Sequence, residues 1–259
     1  MKKPAFILAG LLSLAMAGPV RGQQLFADDF ESGNLNQWTG KLGLPHHGQL
    51  VSDPLSPTNH VLTFTQVATG GDIFNVSVIA LSARSQPIIL SFDFLGLSTE
   101  PMPPMEFGGF AGITTDPDGR SPHYWLAGTF PPALNVPSPV ATTLTADGKW
   151  HHYVIDFTSV VLSNELTAIQ VMLEDWSDRL GVPGDVYFDN VRLVAGGALA
   201  IEQLVPCAGP ITGGRWKRHG EYVFATVQAV KVYLERGLLT AEEGEEIVVG
   251  AARSDCGKR

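Results

Sequence analysis

The sequence predicts a mainly β chain, an antiparallel two-sheet sandwich followed by a C-terminal α-helical hairpin. Three observations predict it. Short segments of alternating apolar and polar residues recur through the first two thirds, punctuated by Gly, Pro, Asn and Asp, the pattern of half-buried strands and their turns. No helical period interrupts them, and strands without intervening helices fold as packed sheets. Beyond residue 207 the apolar period becomes helical, in a segment bracketed by the only two cysteines, Cys207 and Cys256.

The chain opens on Lys2 and Lys3, an apolar run over 5–17 and the small-x-small triplet "AMA" at 15–17. That is the order of an export signal, expected over 1–22 with a second possible cut before Gln23. The run is too short to span a bilayer. The mature chain is therefore expected to be exported, to the periplasm or beyond, with no membrane span.

The sandwich is expected over 23–197. "HVLTFTQV" (60–67), "IFNVSVIAL" (73–81), "IILSFDFLGL" (88–97), "WHHYVIDF" (150–157) and "LTAIQVML" (166–173) read as strands. In the third, Ile88, Leu90, Phe92 and Phe94 share one face and Ser91 and Asp93 the other. In the fourth, Tyr153, Ile155 and Phe157 point inward, His152 and Asp156 outward. The Pro/Gly-rich stretch 100–146 reads as loops around one strand near 123–126, and long loops on a rigid scaffold are where function concentrates.

The closing strand, "DVYFDNVRLV" (185–194), poses a chemical question. Period-two alternation groups Tyr187, Asp189, Val191 and Leu193 on one face, opposite Asn190 and Arg192. Asp189 is thus expected to turn inward. A buried carboxylate must be paired, protonated or bound to a metal.

The helical hairpin is expected over 198–259. Tyr222, Thr226, Ala229 and Tyr233 form one stripe, Gly237 ends the first helix, and Thr240 with Glu243 forms a capping box for the second. Helices this short are marginal alone. In an oxidising compartment the two cysteines read as one disulfide that staples them.

Charge narrows the partners. Residues 23–199 carry six basic and eighteen acidic residues, a net of −12, whereas 200–259 carry eight of each. Nucleic acid and anionic lipid need clustered Lys and Arg, so the acidic body excludes both as its partners.

Three segments carry a family resemblance. "FADDFESGNLNQW" near the start, "GKWHHYVIDF" later and "DVYFDNVRLV" at the close resemble the galactose-binding-like jelly-roll domains, which include many carbohydrate-binding modules. The resemblance spans about 26–194 and implies an antiparallel jelly-roll β-sandwich, glycan binding and a structural calcium where first and last strands meet. Carried onto this chain, the calcium set is Glu31 and Asp189 with Asp29 contributing, completed by carbonyls and water. The alternative for Asp189 is an edge residue that accepts backbone N–H bonds. The tail, from "CAGPITGGRWKRHGEYV" to "SDCG", resembles a small C-terminal module of exported bacterial proteins, which implies a folding unit and no chemistry.

Sugar recognition uses aromatic faces and a few fixed polar groups. Tyr124, Trp125 and Trp176 are the expected ligand-binding residues, and Trp38 is expected to pack where the first strand turns. The histidine pairs His46–His47 and His151–His152 point to opposite faces of a strand, so neither pair converges on one ion. No nucleophile elbow, phosphate loop or dinucleotide-binding glycine pattern is present. The reading is an exported, non-catalytic carbohydrate-binding protein. The alternatives are a cell-surface adhesion module with a protein partner and, third, a polysaccharide-degrading enzyme.

Overall fold

The computed structural model of the chain describes residues 22–40, 44–64, 71–82, 86–97, 109–115, 123–129, 142–175 and 186–258. The expected export signal lies outside them except for Gly22, as do Trp176 and most of the Pro/Gly-rich stretch. The chain is a two-sheet sandwich with helices at its C-terminal end.

The first sheet runs β11 (His151–Asp156), β7 (Ile88–Gly96), β13 (Val186–Ala195), β4 (Ser56–Phe64) and β3 (Gly48–Asp53), with β1 (Gln23–Asp28) also paired to β13. The second runs β10 (Thr142–Thr143), β9 (His123–Gly128), β8 (Gly109–Thr114), β12 (Ala168–Asp175), β5 (Gly71–Asn75) and β2 (Trp38–Thr39), with β6 (Ile79–Ala80) on β12. All pairs are antiparallel except β9 with β10.

Alternation builds the core between the sheets. Ile88, Leu90, Phe92 and Phe94 of β7 meet Ile169, Val171 and Leu173 of β12, with Phe188, Val191 and Leu193 of β13 among them. Burying side chains of this size contributes about 1.5–3 kcal/mol each, which makes this layer the main stabilising term.

Two elements depart from the sequence reading. The segment 73–81 is two short strands, β5 and β6, because Val76 to Val78 loop out while Asn75 Oδ1 accepts from the Val171 amide at 2.6 Å. The run after Val194 is helical: α2 (Gly197–Leu204) follows Gly196. A further short helix, α1 (Thr158–Ser163), follows β11.

The tail is α3 (His219–Glu235) and α4 (Ala241–Arg253), joined at Gly237, whose φ is +67°. The capping box is present: Thr240 Oγ1 accepts from the Glu243 amide and Glu243 Oε2 from the Thr240 amide. Cys207 and Cys256 are bonded across a separation of 49 residues.

Ala200, Ile201, Val230, Tyr233, Leu238 and Leu239 share one buried cluster with Ile89 and Val194 of the first sheet. Arg236 adds an ion pair to Asp156 at 3.1 Å and a hydrogen bond to Ser159. The helical unit is docked on the outer face of the first sheet through a common apolar core.

Candidate functional site

The site begins with a break in the last strand. Asn190 takes a φ of +51°, and the pairing of β13 with β7 slips between Asp189 and Arg192. Asn is among the few residues that reach the left-handed region without strain. The extra residue reverses the alternation: Val186 and Phe188 face the core before it, Val191 and Leu193 after it.

Asp189 is therefore on the outer face of the sheet with Asp93, its register partner. The expectation that it turns toward the core is corrected; a bulge, invisible to strict alternation, is the reason. The alternation placed Val191 and Leu193 correctly.

Asp189 is nevertheless buried, 5% exposed. β13 pairs with β1 through 191–195 and meets β4 at Phe188, so Asp189 lies where these two neighbours diverge. Its Oδ1 accepts from the Asn190 amide at 2.7 Å and its Oδ2 from Asn59 Nδ2 at 2.9 Å. Burial pushes its pKa from an ordinary 3.8 to about 6, against the pull of Asn59 and Asn190; the charges of Asp93 and Glu31 add to the rise. Asp189 is thus a hydrogen-bonded carboxylate on an inner strand of the sheet.

Glu31 bridges the same fork. Its Oε1 accepts from the His60 amide at 2.7 Å and its Oε2 lies 3.3 Å from His60 Nδ1. The amide bond leads in holding its carboxyl below the ordinary range. Asp29 Oδ1 accepts from the Glu31 amide at 3.2 Å.

Calcium takes six to eight oxygens, more than the three carboxylates of Asp29, Glu31 and Asp189, binding through one oxygen each, would supply. Each is engaged by the N–H donors just described. Among the described residues no group of three or more His, Cys, Asp or Glu is arranged to hold a metal ion.

Beside the bulge, on the same outer face, lies a cleft of about 420 Å³. Its walls include Asp29 and Gln37 from the segment after β1, Ser91 of β7, His152 of β11, Arg192 of β13 and Gln203 of α2. Much of this lining is held in place. Ser91 Oγ donates to Gln203 Oε1 at 2.6 Å, His152 Nδ1 is 2.6 Å from Asp93 Oδ1, and Asn190 Nδ2 donates to Asp93 Oδ2 at 2.7 Å. Asp28, also in the lining, accepts from the Phe30 amide and from Trp38 Nε1 at 2.7 Å. Arg192 Nε is buried with no hydrogen-bond partner.

The expected aromatic residues lie elsewhere. Tyr124 points into the core between the sheets, 6% exposed. Trp125 faces the other way, onto the outer face of the second sheet, and is buried with Phe74, Phe110 and Met172. It presents no open ring: these side chains close over it, and Gly112 opposite leaves it room, since a Cβ there would run into the Tyr124 carbonyl and the indole. Trp38 packs between Phe26 and Phe30, as expected where the first strand turns.

His151 and His152 split as alternation predicts, His151 pairing with Asp147 at 2.8 Å and His152 with Asp93, whereas His46 and His47 precede β3 and are not on a strand. The sequence reading missed Asn59, Asn190, Arg192 and Gln203 as members of this region. The "DN" at 189–190 was the one local signal, since Asn is a left-handed former.

No family model matches the chain, and no curated protein sequence matches it. Solved structures similar to it include a family 61 carbohydrate-binding module in complex with β-1,4-galactotriose, at 12% identity and a TM-score of 0.38, covering 66% of this chain and 97% of that one. A family 11 carbohydrate-binding module from Clostridium thermocellum, in complex with a β-1,3-1,4-mixed-linked tetrasaccharide, is similar at 16% identity and a TM-score of 0.37, covering 66% and 95%. The K3 cleaved adhesin domain of Lys-gingipain from Porphyromonas gingivalis is similar at 12% identity and a TM-score of 0.38, covering 68% and 100%. Likenesses of this size assign neither a ligand nor a residue.

Proposed function

We propose that the chain is an exported, non-catalytic glycan-binding protein and that a sugar unit occupies the polar cleft beside the β13 bulge. The observation that carries this reading is the cleft itself: about 420 Å³, lined by amides, carboxylates, an imidazole and the Arg192 guanidinium. Its size falls within the range of small-molecule sites. Sugar hydroxyls both donate and accept, and the lining offers both kinds of group within one ring. The bonds from Asp93 to His152 and Asn190, and from Ser91 to Gln203, fix that lining before a ligand arrives, which lowers the entropy cost of binding. The Arg192 guanidinium lines the cleft and is a charged donor to sugar hydroxyls.

The non-catalytic part rests on how the acids are used. Glycoside hydrolysis needs two carboxyl groups available across a cleft. Asp28 is filled by Phe30 and Trp38, and Asp29 caps Glu31. A serine nucleophile needs a base within hydrogen-bond reach, and the hydroxyl of Ser91 is directed to Gln203. Export agrees with the disulfide, a bond that persists in oxidising compartments.

A glycan array on the purified chain, followed by calorimetric titration of Arg192→Gln, tests the reading. Binding is expected to a neutral glycan and to weaken about tenfold in the variant, the loss of a hydrogen bond of about 1.5 kcal/mol. An array with no neutral-glycan signal, or an unchanged affinity in the variant, would refute it.

A further inference from the structure

The terminal module holds a second cavity, unrelated to the cleft, and its chemistry is opposite in sign. The segment "RWKR" at 215–218 places three cations in four positions, as many as occur in 23–129. It forms one wall of a cavity of about 760 Å³ against the disulfide, lined by Cys207, Arg215, Trp216, Lys217, Gly257 and Lys258. Among the described residues no acidic side chain lines it.

The walls are rigid. The Cys207–Cys256 bond ties the two segments that form them. Trp216 Nε1 donates to the Pro206 carbonyl at 2.8 Å, and its ring meets the edge of Tyr222 with centroids 5.8 Å apart. Gly257, at a φ of +71°, lies so close that a Cβ would come within 3.0 Å of Trp216 Cβ. The indole is thus held from three sides and half-buried.

The cations differ in how they are used. Lys258 is paired with Asp255 at 2.9 Å, and the Lys217 amide, not its ammonium, donates to Glu221. Among the described residues the side chains of Arg215 and Lys217 are exposed and make no ion pair.

We infer that this cavity binds a sugar ring carrying an oxyanion, a carboxylate or a sulfate. The indole offers a face for the C–H side of a pyranose. The Arg215 guanidinium matches a planar oxyanion with two parallel donors, and Lys217 supplies a second point charge. A long, densely charged polyanion such as nucleic acid is disfavoured, because the −12 of residues 23–199 would repel it beyond the cavity. The module then adds acidic-glycan recognition to a sandwich that recognises neutral sugar, and the inference does not depend on the cleft.

The test is calorimetric titration of the full chain with oligogalacturonate, sulfated dextran, neutral dextran and a DNA 20-mer. One or both anionic glycans should bind, and the stronger of the two identifies the oxyanion. Exchanging both Arg215→Gln and Lys217→Gln should lower that affinity at least tenfold, whereas Arg192→Gln in the cleft should leave it unchanged. Both exchanged side chains are exposed, so the variant should fold, which protease resistance verifies. Absence of binding to both anionic glycans, DNA binding as tight as theirs, or affinity surviving the double exchange would overturn the inference.

Discussion

The two sheets turn unlike outer faces away from their common core. On the second sheet Phe74, Phe110, Trp125 and Met172 form a buried apolar cluster. On the first sheet the outer face divides: Ile89 and Val194 are covered by the helices, and Ser91, Asp93, Asp189 and Arg192 form a polar network and a cleft. The divide falls just past the bulge at Asn190, between Arg192 and Val194. The one residue in the left-handed region puts Asp189 and Arg192 on the same outer face, which a strictly alternating strand could not do.

The largest effect should come from the apolar face. Trp125→Ala removes a 5%-exposed indole from that cluster and should cost about 3–5 kcal/mol in stability. Chemical denaturation measures it, and glycan affinity of the folded fraction should be unchanged. A variant with wild-type stability and lost binding would return recognition to the second sheet.

Next is the covered half of the first sheet. Cross-linking a loop of 49 residues contributes about 4 kcal/mol in the chain-entropy model. Reduction should therefore expose 200–258 to protease, although the shared apolar core slows the release. A tail equally resistant with free thiols would show that docking alone holds it.

The polar network should show itself in pH. Asp189 titrates near 6 in the folded chain against an ordinary 3.8, so the folded state holds the proton more tightly. Its contribution to stability is full below the ordinary value and is lost as pH rises through about 6. Asn59 faces it from β4, Asp93 from β7 and Glu31 from the segment after β1. Asp189→Asn removes the titrating group, so the stability difference between wild type and variant should slope across that window. A flat difference would contradict the buried carboxylate.

The smallest expected effect is that of calcium. Since N–H groups occupy the carboxylates of Asp29, Glu31 and Asp189, melting temperatures in chelator and in millimolar calcium should coincide. A rise with calcium would mean that those donors yield to the ion and would restore the metal reading.

Local chemistry made much of the fold legible. The alternation in 88–97 and 150–157 set the inward faces of β7 and β11, and Thr240 with Glu243 marked the start of α4. Elements whose residues speak weakly were missed. β8 reads "GFAGIT" within a Pro/Gly-rich stretch, and α2 opens on Gly196 and Gly197, poor helix formers. The cleft was hidden for another reason. Asn59 reaches Asp189 across 130 positions and Gln203 reaches Ser91 across 112, so no local pattern joins them. Tyr124 and Trp125 were chosen because aromatics in a loop-rich region suggest a display surface; strand β9 instead directs one ring to the core and the other to the apolar outer cluster.

The cleft beside the bulge is proposed to hold a sugar through donors that include the Arg192 guanidinium. Its most direct test is the affinity of wild type and Arg192→Gln for the best neutral glycan from an array, measured side by side on chains of matched stability. Binding is expected in the wild type and about tenfold weaker binding in the variant. Equal affinities, or a wild type that binds no neutral glycan, would contradict it.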